Sequence, residues 1–179
     1  KFPYDGDPRN QFRGIIQHLH NICKGNVHDK KIIEVTSSSC YMASCSPKNA
    51  TDFDNNLYFA SNNEEDAWIC YDFKERKVKP SHYSIRSRKD CGKGGNHLRK
   101  WCIEGSNDLK NWKTLDVRKK EKSLDDANAT NTFDIQTELD KDDFFRYLRL
   151  RQIGYNTGSN FHLNIAALEF FGYAIEKMN

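Results

Sequence analysis

The hydrophobic pattern of this chain changes period once, and that change constrains the fold more than any other feature. From Asp7 to Gly25 the apolar residues Phe12, Ile15, Ile16, Leu19, Ile22 and Cys23 recur at helical spacing. Asp7 is a suitable N-cap, Pro8 suits the first helical position and Gly25 suits the end. The spacing predicts one amphipathic helix of about four turns, docked through its apolar stripe. After Gly25 the period shortens to that of extended chain. Ile32-Ile33-Glu34-Val35 reads as a strand, and Thr36 to Pro47 as a small-polar loop. The run AWICYDF, Ala67 to Phe73, is apolar toward both faces, as a covered central strand requires. Tyr83–Arg86, Arg99–Glu104, Phe133–Ile135 and Tyr147–Arg151 alternate, and Leu163–Phe171 changes parity at Ala166-Ala167, the mark of a bulge.

Many short strands separated by turn signals predict an all-β antiparallel sandwich or barrel, not a parallel sheet. No repeat or linker divides the chain. Residues 1–179 therefore read as one domain, with 1–31 a helical segment and 32–173 a β-sandwich. Lys119 to Thr132 has the polarity of a long surface loop. The stretch WCIEGSNDLKNW, Trp101 to Trp112, places Ser, Asn and Asp between two extended segments, and those side chains bond locally to backbone in turns. It predicts a hairpin. Trp68, Trp101 and Trp112 sit in or beside strands, where core packing is their simplest role.

Composition removes several functional classes. The 28 Lys and Arg nearly balance the 25 acids, for a net charge of +3, which leaves no footprint for general nucleic-acid binding. Arg86-Ser87-Arg88-Lys89 and Arg118-Lys119-Lys120 read as solvated basic faces. No apolar run is long enough for a membrane span. The chain begins at Lys1 rather than Met, so an extracellular origin with a removed signal stays open. Six cysteines allow 15 disulfide connectivities, but a domain of this size does not need them, and free thiols are expected. Sequons at Asn49-Ala50-Thr51 and Asn128-Ala129-Thr130 carry little weight in an Asn-rich chain.

Catalytic and metal chemistry find no constellation. His18 and His20 are two apart on the expected helix and point to different sides, and His28, His82, His97 and His162 show no ligand spacing. Ser37-Ser38-Ser39-Cys40 lacks a glycine-flanked elbow and a readable base. Asp108 lacks the neighbouring carboxylates of a calcium loop. No catalytic residue, metal ligand or cofactor is assigned.

Several segments together carry a resemblance. Ala67 to Phe73 resembles the W-I-x-x-D strand of the coagulation factor 5/8 type C (discoidin) family, and KVKPSHYSIR fits the strand that follows it. WCIEGSNDLKNWKTLD resembles the family's hairpin, and RYLRLRQIG with LNIAALEFFG resembles its paired closing strands. Gly14-Ile15-Ile16, Gly25-Asn26-Val27-His28-Asp29 and Val35-Thr36-Ser37-Ser38-Ser39 resemble the intracellular variant found beside BTB domains, in protists especially. The resemblance implies a galactose-binding-like jelly-roll sandwich of about eight antiparallel strands that binds sugars, lipid head groups or proteins without catalysis. The C-terminal segment has no cysteine for the terminal disulfide usual in secreted members, which favours an intracellular location and reduced thiols.

The resemblance also brings three loops to one end: Cys40 to Asn49, Arg86 to His97 and Tyr155 to His162. They contain Phe161 and supply Tyr41, Arg86, Arg88, His97, Tyr155, Asn156, Asn160 and His162 as the expected ligand-binding residues. Aromatic faces beside cations and amides suit a protein partner or a sugar. With the tryptophans assigned to strands, the expectation is an intracellular protein-recognition or scaffold module. The alternative is a carbohydrate-binding module of a surface or secreted protein.

Overall fold

Turn-forming residues cut the chain into ten short strands in the computed structural model, which describes residues 1–54 and 56–177. Positions 55, 178 and 179 of the expected 1–179 unit lie outside the described residues. In chain order the strands are β1 (Glu34–Ser37), β2 (Phe59–Ala60), β3 (Trp68–Asp72), β4 (Arg76–Arg86) and β5 (Trp101–Ser106). They continue as β6 (Lys113–Arg118), β7 (Thr130–Asp134), β8 (Tyr147–Gln152), β9 (Asn164–Ile165) and β10 (Ala167–Glu176). One sheet has the order β1-β3-β8-β5-β6, a second β10-β4-β7, and β2 pairs with β9. Every pairing is antiparallel. The fold is a galactose-binding-like β-sandwich, with ten strands among the described residues rather than about eight.

Alternation along the strands fills the space between the sheets. Ile69 and Tyr71 of β3, Leu148 and Leu150 of β8, and Trp101 and Ile103 of β5 are buried, as are Tyr83 and Ile85 of β4, Phe133 of β7, and Leu168 and Phe170 of β10. A polar relay crosses this core. Trp101 Nε1 donates to the Tyr83 hydroxyl at 2.9 Å, and that hydroxyl donates to Asp116, which also accepts from Arg118 Nε. Burial and the Asp116 charge push the Tyr83 phenol far above its ordinary range.

The predicted tryptophan core holds only for Trp101. Trp68 and Trp112 are half-buried: Trp68 alternates with Ile69 and so turns to the other side of the sheet, and Trp112 stands just before β6. On that outer face the Arg149 guanidinium lies 3.8 Å from the Trp112 ring centroid. Beside it, Glu104 accepts from Arg149 at 3.0 Å and Arg151 at 2.9 Å. Burial pushes the Glu104 carboxyl up, but the two guanidiniums outweigh it and hold the group below its usual range.

The expected four-turn helix is shorter. Pro8–Asn10 is a separate 3-10 turn, capped as predicted by the Asp7 side chain on Arg9 N, and α1 runs Ile15–Cys23. Its start has no local cap because Gly14 carries no side chain. Instead the buried Glu169 carboxylate of β10 accepts from Gly14 N, Ile16 N and Gln17 N, the donors that a helix start leaves open. Ile15, Ile16 and Leu19 are buried, whereas Ile22 is exposed. Lys24, not Gly25, takes the left-handed C-cap conformation at φ 53°.

The parity change at Ala166-Ala167 is a strand break rather than a bulge: β9 pairs with β2, then β10 joins β4, with its register shift at Phe171/Gly172. The 119–132 segment is less free than its polarity predicts, because Leu124 is fully buried and β7 already begins at Thr130. All six cysteines are free thiols. Asn49 of the first sequon is buried, its amide donating to Ser44 O and Tyr58 O, which leaves no nitrogen for a glycan.

Candidate binding surface at the loop end

Antiparallel register gathers several connections at one end. Trp101 of β5 sits opposite both Gln152 of β8 and Arg118 of β6, and Arg86 of β4 opposite both Ala167 of β10 and Thr130 of β7. The segments after β1, β4, β6 and β8 therefore emerge together. The predicted loops 40–49, 86–97 and 155–162 do share an end of the sandwich, joined there by 119–129.

The 153–163 loop is built around Asn156, which is buried. Its Nδ2 donates to Asn160 Oδ1 and His162 O, while its Oδ1 accepts from Gly158 N and Asn160 N. Asn160 Nδ2 in turn donates to Asn96 Oδ1 at 2.7 Å, tying this loop to the 87–100 loop. Gly158 is required at that junction, since a Cβ there would run into the Asn96 side chain. His162 Nδ1 donates to Ser61 O at 2.9 Å, an arrangement that fixes its proton on Nδ1. The loop is held together by its own amides.

Other predicted groups turn inward or aside. His97 is fully buried, with Nε2 shared between Cys91 O and Gly92 O, so it shapes the 87–100 loop and is not presented to a ligand. Arg88 makes a two-pronged pair with Asp90, at 2.5 Å and 2.7 Å, while its guanidinium stacks 4.3 Å from the Tyr58 centroid. That bond holds the Asp90 carboxyl below its usual range. Arg86 donates to Phe53 O and lies over the Phe12 ring, toward the N-terminal segment rather than the other loop-end side chains. Of the expected residues, Arg88, His97 and Asn156 spend polar groups on the domain's own loops, and Arg86 is turned away from the outward rings with one of its donors on Phe53 O.

What faces outward is aromatic. Tyr41 is 56% and Tyr155 54% exposed, and Met42 beside Tyr41 is 49% exposed. Tyr155 stacks on Phe161 at 4.5 Å, and Tyr41 meets the His162 ring edge-on at 5.5 Å. Phe161 and His162 are consecutive, so the two ring pairs share one backbone support. Met42 was the residue missed in the sequence; its neighbour Tyr41 was not. At the opposite end, Asp108 closes the predicted β5–β6 hairpin by accepting from Lys110 N and Asn111 N. Among the described residues, no group of three or more His, Cys, Asp or Glu side chains is placed to hold a metal ion.

Residues 34–165 match the family model of the F5/8 type C domain. The chain belongs to the F5/8 type C domain family. This domain is a binding module rather than a catalytic one. Among curated proteins, the E3 ubiquitin-protein ligase Ufd4 of Drosophila melanogaster is 28% identical over 110 residues, 61% of this chain. The match spans only 4% of that relative's length. Solved structures share the fold at lower identity. CpGH89CBM32-5 from Clostridium perfringens, in complex with GalNAc-beta-1,3-galactose, is 15% identical with a TM-score of 0.61, covering 79% of this chain and 96% of that one. A fucolectin from Morone saxatilis serum is 19% identical with a TM-score of 0.59, covering 79% and 47%. CBM32-3 from a family 31 glycoside hydrolase of C. perfringens is 19% identical with a TM-score of 0.62, covering 80% and 92%. No helix of the described residues is long and apolar enough to cross a membrane.

Proposed function

We propose that this F5/8 type C domain is a non-catalytic, intracellular protein-recognition or scaffold module that docks its partner on the Tyr41, Met42, Tyr155 and Phe161 surface. One observation carries this reading. The amides and guanidiniums beside those rings are already bonded within the domain, so the surface offers apolar and aromatic contact with few free directional donors. Rigid aromatic side chains with an adaptable thioether beside them suit protein interfaces, whereas a sugar site needs several convergent polar groups beside a ring. The fly relative is named for a reaction on proteins, and the sequence resembles the BTB-associated type; both support an intracellular protein partner. The same reading takes residues 1–179 as one domain that includes the helical segment.

A second reading, carbohydrate binding, is favoured by the exposed face of the Tyr155–Phe161 stack and by the sugar-bound relatives of the fold. Affinity capture from source-cell lysate with wild type and with the Tyr41→Ala/Tyr155→Ala pair separates the two. Protein recognition predicts at least about tenfold weaker recovery of a defined partner by the variant, equivalent to roughly 1.4 kcal/mol, at an unchanged Tm. Retention on immobilised galactose, lost in the same variant, would instead establish the carbohydrate reading. Partner recovery that is equal for both proteins would move the interface to another face.

A further inference from the structure

A cavity of about 560 Å³ lies away from the exposed loop-end rings. It lies between the N-terminal segment, the outer side of α1 and the segment that follows the 47–51 turn. Its size is in the range of small-ligand pockets. The Phe12 and Phe53 rings, 5.1 Å apart, form an apolar part of its wall. Arg9, Arg13 and Arg86 line it as well, against one carboxylate, Asp54.

These cations are not equivalent. Arg9 is neutralised by Asp7 at 2.7 Å. Among the described residues no carboxylate lies within ion-pair distance of Arg13 or Arg86. Arg86 is the informative one. It is half-buried, its guanidinium is 5.3 Å from the Phe12 centroid, and of its five N–H donors one is spent on Phe53 O. Burial makes its charge harder to hold, an effect that an incoming anion would relieve.

We propose that this cavity is a second binding site, for a short acidic peptide segment that lays a carboxylate on Arg13 and Arg86 and an apolar side chain on Phe12 and Phe53. A guanidinium fork matches a carboxylate through two parallel hydrogen bonds. Two guanidiniums against Asp54 leave a single net positive charge, which complements one carboxylate better than a multiply charged phosphate. The aromatic wall beside the cations adds a place for the neighbouring side chain, which a peptide supplies and a bare anion does not.

The test uses the full chain and a blocked, fluorescein-labelled peptide, Gly-Ser-Phe-Glu-Leu-Gly, followed by fluorescence anisotropy. Saturable binding is expected, at least about tenfold weaker when glutamine replaces the glutamate. The exposed Arg13→Glu variant should weaken it by at least about tenfold at an unchanged Tm. Arg86→Lys, which keeps the charge and loses the fork, should weaken it as well. Equal binding of the glutamate and glutamine peptides, indifference to Arg13→Glu, or no binding at about 1 mM peptide overturns the proposal. Binding only of a phosphoserine version overturns it in favour of a phosphate site. The measurement needs no loop-end partner, so its failure and the failure of the loop-end reading are separate results.

Discussion

At the scale of single residues, polar side chains in this domain act mainly as internal fasteners. Asn156 makes four hydrogen bonds from a buried position. Asn156→Ala leaves those partners unsatisfied and should cost about 2 kcal/mol, seen as a lower Tm with faster amide exchange across 157–163. Glu104 makes a pH prediction with a definite sign. Its folded carboxyl titrates below the ordinary 4.5, so its contribution is present above about 4.5 and is lost as pH falls through the folded value. The Tm gap between wild type and Glu104→Gln should be widest near neutral pH and close under acid conditions, about pH 3. A gap that is constant with pH would mean that the Arg149 and Arg151 bonds no more than offset the cost of burying the charge.

At the scale of elements, the helix shows how a local pattern depends on distant chain. Residues Ile15, Ile16 and Leu19 were legible as a docking stripe, and they are buried against the body. Ile16→Asp should cost on the order of 3 kcal/mol by burying an unpaired charge; an unchanged Tm would show that α1 is undocked. The cap of α1 was not legible, because it comes from Glu169, 155 positions from Gly14. Burial pushes the Glu169 carboxyl up to about 7, against the pull of its backbone N–H donors. A raised folded value gives stability that is fully present below the unfolded value of about 4.5 and lost as pH rises through about 7. The Tm difference between wild type and Glu169→Gln should therefore move against wild type from about pH 5.5 to about pH 8.5, measured by calorimetry.

At the scale of the whole molecule, the cysteines report on the integrity of the sandwich. Cys70 and Cys102 point to the outer side of the five-stranded sheet yet are buried there, and burial pushes both thiols up to about 12. Cys40 is exposed on the loop end. A thiol reagent at neutral pH should label Cys40 early and Cys70 and Cys102 only on unfolding. All six should react after denaturation without reductant, by intact mass. A mass showing two or more disulfides would overturn the free-thiol state.

Period and turn signals predicted an antiparallel sandwich or barrel, most of its longer strands and the docking stripe of the helix, because alternation and helical spacing are properties of neighbouring residues, while the choice of a sandwich came from the resemblance. The Ser106-to-Asn111 turn was equally legible, since Ser106 and Asp108 bond to backbone within three residues. The loop end was legible as a place through the resemblance, and as a roster of residue types. Which of those side chains remain free was not. His97, Asn156 and Arg88 carry the same sequence signal whether they face a ligand or fasten a loop, and only the tertiary structure shows their partners. Trp68 and Trp112 went astray for a related reason: residue type predicts burial on average, while the face is set by register across strands. The Glu169 cap and the Arg86 cavity lie furthest from the sequence. Each joins segments separated by many tens of residues, and a contact between distant segments has no local pattern from which it can be read.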